Sequence, residues 1–341
     1  MSLFFDAIRF LSKCSPYKLI NAFKVYLSFY LSKWRKKPTW VSLPFTLTFE
    51  PTTQCNLSCP ECPSGLKSFT RPTGYADLDI YNDFIEKTHK HLIYLYLYFQ
   101  GEPFLHKYFL KMVAIAHSKN IYTVTSTNGH FLSASKSEEI VHSGLDRIII
   151  SIDGSTQETY EQYRIGGKLN NVINGAKNLV EAKKKLKKKT PFIIFQMLVV
   201  APNENQVDEV KKLAKEVGVD RFVLKTAQIY DFENGSPLMP QNPKYSRYKK
   251  DEAGKFEIKN PMHNQCWKLW HSAVCTFDGT IVPCCFDKDA KYKMGDIKST
   301  NFKEIWYSDA YNNFRNQLLK SRSQIDICQN CSEGTKVWES I

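Results

Sequence analysis

Three thiols, Cys55, Cys59 and Cys62, fall within FEPTTQCNLSCPECPSG, residues 49–65, separated by three residues and then two. Disulfides want partners in even number, and a closed structural zinc site wants four ligands. A trio suits a centre that uses three protein thiolates and keeps one metal position open. A loop that turns back on itself can set three thiolates on one face of a cuboidal iron–sulfur cluster, and their softness suits iron and sulfide. One iron then accepts an exogenous chelator. A zinc site of three cysteines completed by a distant residue is the rival use of the same thiols.

The C-x3-C-x2-C arrangement resembles the signature of the radical S-adenosylmethionine (SAM) enzymes. In that family the cofactor's methionine chelates the unique iron, and one-electron reduction cleaves its sulfonium to a 5′-deoxyadenosyl radical. The later motif YFQGEPFLH resembles the family's Gly-Gly-Glu-Pro, with Gln100 in place of the first glycine and Gly101, Glu102 and Pro103 retained. The resemblance implies that Glu102 and the neighbouring backbone receive the SAM amino group, a charge-assisted contact that orients as well as binds. An isolated GEP is otherwise an ordinary turn. STNGH and SIDGS bring Ser126, Thr127, Asn128, Ser151 and Asp153 to strand ends. The resemblance makes the last two contacts for the SAM ribose and carboxylate and adds Ser126 and Asn128 to the cofactor site. Asn128-Gly129 and Asp153-Gly154 also read as turn pairs. Arg164, in YEQYRIGG, corresponds to an arginine that pairs with the SAM carboxylate in many relatives; a surface arginine is the plain alternative. Glu61 stands where relatives often carry an aromatic residue beside the adenine, so Met197 or Val199 is expected to supply that packing.

A second set of cysteines occupies the tail: Cys266, Cys275, Cys284, Cys285, Cys328 and Cys331. CTFDGTIVPCC reads as a hairpin turning at Asp278-Gly279. The spacing from Cys266 through Gly279 to Cys284, followed by a distant C-x2-C, resembles the SPASM/twitch extension of radical SAM enzymes, which holds auxiliary [4Fe–4S] clusters. It implies one auxiliary cluster on Cys266, Cys284, Cys328 and Cys331, since the further cysteines of a full SPASM domain do not follow. Neighbouring strand residues point to opposite faces, so Cys284 and Cys285 do not easily serve together. Cys275 and Cys285 are then packing residues, as is Cys14. A four-thiolate zinc knuckle is the competing reading.

These residues need a scaffold, and the sequence supplies a rhythm. β-rich runs at 45–50, 93–99, 121–126, 146–152, 192–199 and 220–225 alternate with amphipathic helical stretches. Gly144 and Gly218 sit where helix C-caps belong. Six β/α units imply a parallel sheet with helices outside, and ligands gather at the carboxyl ends of its strands. With the resemblance, the fold expected is α/β: a partial (β/α)6 TIM-like barrel and a small C-terminal SPASM/twitch iron–sulfur domain. The boundaries expected are an N-terminal helical extension over 1–40, the core over 41–230, a Pro-, Gly- and charge-rich connector over 231–261, and the auxiliary domain over 262–341.

The 341 residues, 43% hydrophobic and 13% aromatic, suffice for a large core. No basic n-region opens the chain and no apolar run approaches the roughly 18 residues of a membrane span. The ten cysteines then suit a reducing cytoplasm. The net charge of +13 points to an anionic substrate or partner, while no aromatic-interleaved basic stripe supports nucleic-acid readout. KKKLKKK, residues 183–189, reads as a solvated helix end. Two helices meet at Ser15-Pro16, a cap followed by Pro at the first helical position. In the second, Leu19, Phe23, Tyr26, Leu27, Tyr30 and Trp34 form an apolar stripe. Docking against the main domain is its commoner use; peripheral membrane contact through residues 17–37 is the other.

The chain therefore reads as a radical SAM enzyme that abstracts hydrogen from a substrate. Peptide or protein modification is the first expectation, and oxidation of a sugar-like small molecule the second. A reductase such as flavodoxin or ferredoxin is the implied electron donor. A non-enzymatic iron–sulfur or zinc carrier or scaffold is the third reading, and the retained Gly101-Glu102-Pro103 speaks against it.

Overall fold

The computed structural model describes residues 2–39, 42–259 and 262–331; Trp40 of the expected linker and the expected domain limits at 1, 40–41, 261 and 341 lie outside them. Six strands form where the β-branched and aromatic runs predict them: β1 Thr46–Phe49, β2 Tyr94–Tyr96, β3 Tyr122–Thr127, β4 Arg147–Ser151, β5 Phe192–Val199 and β6 Arg221–Thr226. They pair in sequence order, all parallel. Parallel neighbours need crossovers. These are made by α4 Leu78–Thr88, α5 Phe109–Ser118, α6 Ala134–His142, α7 Gln157–Tyr163, α8 Leu169–Lys185 and α9 Val207–Val217. Ahead of them lie α1 Ser2–Leu11, α2 Pro16–Arg35 and the single turn α3 Pro63–Leu66. Alternate strand residues such as Leu47, Leu95, Ile148 and Phe195 are buried with helix residues such as Val113, Leu179 and Val210. The other strand face is left for a cavity.

The C-terminal segment continues this sheet. β9 Ser272–Cys275 lies parallel to β1, in register Thr46 with Ser272 through Phe49 with Cys275. β10 Thr280–Val282 and β11 Gly295–Asp296 follow antiparallel, giving the order β11-β10-β9-β1-β2-β3-β4-β5-β6. The expected hairpin is present, with Gly279 at its turn in the left-handed region, φ +91. Helices α10 Lys268–His271, α11 Phe302–Trp306, α12 Asp309–Ser321 and α13 Asp326–Gln329 complete the segment. Arg71 welds the junction: its guanidinium forks onto both oxygens of Glu50, at 2.8 and 2.6 Å, while its Nε donates to the Lys288 carbonyl at 2.8 Å. The expected connector holds more than coil, because β7 Tyr248–Lys250 and β8 Phe256–Ile258 form a separate antiparallel pair around Gly254.

At the N-terminus Ser15 caps α2, its hydroxyl accepting from the Lys18 N–H, with Pro16 at the first position. The stripe in α2 does not dock. Asn21, Val25, Ser28, Phe29 and Ser32 face the body, and Leu19, Phe23, Tyr26, Leu27, Tyr30 and Trp34 face outward, Phe23 61% and Trp34 78% exposed. The expected orientation is thus reversed. Hydrogen bonds decide it: Asn21 Nδ2 donates to Leu43 O at 2.9 Å, and Trp270 Nε1 donates to Ser32 Oγ at 3.2 Å.

Candidate functional site

A cavity of about 510 Å³ opens at the carboxyl ends of the strands. Cys55, Cys59 and Cys62 line it from the loop after β1, and Gln100, Gly101 and Glu102 from the loop after β2. Ser126, Thr127 and Asn128 line it from β3, and Ser151 and Arg164 from β4 and the end of α7. The two leading motifs are locked together. Gly101 has φ +71, and a Cβ there would stand 2.5 Å from Thr52 O and 2.7 Å from Gln54 O. Its N–H donates to Ser64 Oγ at 2.8 Å, and the Glu102 N–H to Gln54 O at 2.7 Å. Only glycine permits this approach. Gln100 is not among the positive-φ residues, which is why a side chain is tolerated where relatives carry the first glycine.

Glu102 is 2% exposed. One carboxylate oxygen accepts from Thr127 Oγ1 at 2.8 Å and the Phe104 N–H at 3.2 Å; the other accepts from the Asn128 N–H at 2.7 Å. Burial raises its pKa to about 7, opposed by these donors. The site thus holds an oriented carboxylate that a cation would ionise. Pro103 opens the short 3-10 turn Pro103–Leu105 behind it, buried.

Asp153 stands one layer further back, fully buried. One oxygen accepts from Arg164 Nε at 2.5 Å, the other from the Leu198 N–H at 2.6 Å. It sets the guanidinium, whose Nη1 points at Cys59 Sγ from 3.7 Å. Asn128 Nδ2 lies 4.0 Å from Cys55 Sγ, held by Asn56 Oδ1 at 2.7 Å. N–H groups around thiolates are the outer-shell donors a metal centre uses. Burial pushes the Cys55 thiol up to about 11 and raises that of Cys59, which the neighbouring Arg164 opposes. Among the described residues no three Cys, His, Asp or Glu side chains converge on one ion position.

The fifth strand corrects one expectation. Gln196 and Leu198 face the cavity, while Met197 and Val199 pack in the core. Strand residues alternate faces, and the register puts the even-numbered ones inside.

In the C-terminal segment, Arg322 Nη2 donates to Cys331 Sγ at 3.4 Å, and Cys266, Cys331 and Cys328 together raise its pKa against the opposing effect of burial. Burial above all raises the Cys284 thiol, and charge on Cys285, Cys331 and Cys266 adds to it. Cys266, Cys284, Cys328 and Cys331 therefore share one neighbourhood with a cation beside it. Cys275 lies elsewhere, beside Asp278 and Glu50, and Cys14 donates to Phe10 O at 3.5 Å. Cys285 faces the central cavity.

Sequence reasoning missed that cavity's cationic wall: Lys225 of β6, Arg247, Lys268 and Lys288. Lys225 is solvent-exposed and lines the cavity, and desolvation by the protein around it lowers its pKa. Arg247 Nη2 donates to Thr226 O at 3.0 Å, and its Nε and Nη1 have no protein partner. Lys288 donates to Tyr230 Oη at 2.9 Å, its pKa lowered by burial to about 8. A lysine closing the β-run at 220–225 was the readable signal.

With this geometry in place, comparison with known proteins is direct. Residues 49–217 match the radical SAM superfamily and residues 266–332 the SPASM iron–sulfur cluster-binding domain. The chain is 24% identical, over 84% of its length and 86% of the relative's, to a tungsten-containing aldehyde ferredoxin oxidoreductase cofactor-modifying protein of Pyrococcus furiosus. It is 25% identical to the PqqA peptide cyclase of Gluconobacter oxydans, over 88% and 86%. It is 22% identical to the S-adenosyl-L-methionine-dependent 2-deoxy-scyllo-inosamine dehydrogenase of Niallia circulans, over 83% and 90%. Among solved structures, Streptococcus suis SuiB bound to S-adenosylmethionine superposes with a TM-score of 0.61 at 16% identity, over 91% of this chain and 76% of that one. The protein belongs to the radical SAM superfamily and is an enzyme of the SPASM-bearing kind, using SAM and [4Fe–4S] clusters.

Proposed function

We propose that this enzyme abstracts a hydrogen atom from a substrate carrying an anionic group, with an acidic peptide as the first candidate. One observation carries the reading: a single cavity is lined on one side by the three-cysteine loop and Glu102, and on the other by Lys225, Arg247, Lys268 and Lys288. A [4Fe–4S] cluster on Cys55, Cys59 and Cys62 would chelate SAM and supply the electron that releases a 5′-deoxyadenosyl radical. On this assignment Glu102, held by Thr127 and the Asn128 N–H, accepts from the amino group of bound SAM, and Arg164, set by Asp153, faces its carboxylate. Ser126 and Ser151 offer hydroxyls to the ribose. The cationic wall of Lys225, Arg247, Lys268 and Lys288 fixes the substrate's anion.

Cys266, Cys284, Cys328 and Cys331 would hold one auxiliary cluster, saturated by protein and therefore fit for electron transfer. All ten cysteines are free, which suits a reducing cytoplasm and an external reductase such as a flavodoxin or ferredoxin. Two of the relatives above act on a peptide and on a small molecule by name. A phosphate-bearing sugar is accordingly the second reading, favoured by the same cations.

The test is anaerobic. Reconstituted protein should carry about eight irons per chain and, once reduced, form 5′-deoxyadenosine from SAM. Changing Cys55, Cys59 and Cys62 together to Ala should remove about half the iron and all cleavage. Zinc in place of iron, or cleavage in the triple variant, overturns the assignment. Acidic peptides or sugar phosphates should stimulate cleavage in wild type and not in Arg247→Met.

A further inference from the structure

We infer that the outward face of α1 and α2 docks on a bilayer bearing anionic lipid headgroups. Of the exposed large apolar side chains among the described residues, fourteen lie between Leu3 and Trp34 and five in all the rest. In α2 they recur at helical spacing, Leu19, Phe23, Leu27, Tyr30 and Trp34, opposite the face that meets the body. A helix that merely covers a core buries its apolar stripe. This one buries Val25 and Phe29 in the core, is fastened further by polar groups, including Lys18 Nζ donating to Asn120 O at 2.7 Å, and leaves its larger apolar stripe outside. Helix α1 is held likewise: Asp6 pairs with Arg147, and Arg9 Nε meets Asp146 at 2.6 Å. Leu3, Phe4, Ile8 and Leu11 stay exposed. Both helices are therefore fixed to the enzyme with their greasy sides out.

Charge chooses the occupant. Residues 2–39 contain eight basic side chains and one acidic one, the buried Asp6. Lys24, Lys33, Arg35, Lys36 and Lys37 are exposed, and none joins an ion pair among the described residues. The lysine tract at 183–189 adds to this field, since Lys189 Nζ sits 5.3 Å from the Phe5 ring centroid. A second copy of the chain pressed on this face would meet cations with cations. An anionic lipid surface neutralises them while taking the aromatic and leucine side chains into its headgroup region, as interfacial helices do. Neither helix is long and apolar enough to cross a membrane.

The test uses the full-length, cluster-loaded protein in vesicle flotation. It should float with phosphatidylcholine vesicles containing about 30% phosphatidylglycerol, and bind pure phosphatidylcholine at least about tenfold more weakly. Phe23→Asp with Trp34→Asp should weaken binding to the anionic vesicles by about tenfold or more. Lys33→Glu with Lys36→Glu, a separate pair that leaves the apolar face intact, should do the same. Both pairs are surface changes and should retain 5′-deoxyadenosine formation, which shows that they fold. Failure of the wild type to float with anionic vesicles overturns the inference. So does a folded Phe23→Asp/Trp34→Asp protein that floats undiminished, or a wild-type dimer that this pair dissolves into monomers.

Discussion

Replacing Asp153 by Asn separates two roles that the carboxylate can have. If Asp153 touched the cofactor directly, the change would weaken SAM binding and leave the fold alone. The structure places it behind Arg164, with both oxygens occupied by protein donors. An amide oxygen can still accept from the Leu198 N–H, but the guanidinium loses its counter-charge. Breaking a buried pair from one side costs about 3–5 kcal/mol. The Arg164 side chain keeps 18% exposure, toward the cavity, so the lower end applies, about 3 kcal/mol. At about 2 °C per kcal/mol for a chain of this size, the melting temperature should fall by about 6 °C. Arg164→Met removes the charge from the other side, and the double variant should recover about 2 kcal/mol relative to the summed single losses. Anaerobic urea unfolding of the four proteins measures that coupling. A coupling below about 0.5 kcal/mol, the range of independent sites, would refute the reasoning. SAM affinity supplies a second readout, since both single variants should lose it to similar extents and the double variant no further.

Other outcomes follow from the same geometry. Gly101→Ala should reduce SAM cleavage more than about tenfold while leaving most of the fold, because its Cβ would meet the Thr52 carbonyl at 2.5 Å and pry the two loops apart. Cys284→Ser should lower iron content by up to about four per chain, whereas Cys285→Ser should keep the iron and alter only substrate-dependent turnover. SAM binding by the cluster-loaded enzyme should strengthen as pH rises through about 7, because burial raises the Glu102 pKa and the amino N–H groups of bound SAM want the ionised carboxylate as acceptor. Calorimetry in two buffers should show proton release on binding that declines as pH rises through that value. Glu50→Gln should cost about 3 kcal/mol by stranding Arg71, with hydrogen exchange quickening first over residues 272–297.

The strand order and the mouth of the barrel were legible in the sequence, since β-rich runs ended in residues with chemistry and glycines marked the helix ends. The cysteine trio could be named from spacing and type, and Glu102 and Arg164 from the resemblance their motifs carry. Asp153 could be named but not given its role, because whether a carboxylate faces a ligand or the arginine behind it depends on packing between α7 and β5. The cationic wall was illegible for a similar reason. Lys225, Arg247, Lys268 and Lys288 are scattered in sequence, and only the apposition of β6 with the C-terminal segment gathers them. The stripe on α2 was read as a pattern with the wrong direction: periodicity says that an apolar face exists, and the hydrogen bonds from Asn21 to Leu43 O and from Trp270 to Ser32 say which way it turns.

The parallel pairing of β1 with β9 bears on how this protein can be cut. Without the segment after residue 262, β1 would present a bare row of amide and carbonyl groups. That is a template for another chain, and short hydrophobic strands left so uncovered promote aggregation. The same strand ends in the three-cysteine loop. A shortened chain that stops at the barrel should therefore be insoluble or lose its first cluster, even though it contains every proposed ligand to that cluster. Its two metal centres are separate in sequence yet share one folding fate, and exchanging tails between relatives should succeed only where the β1–β9 register is preserved.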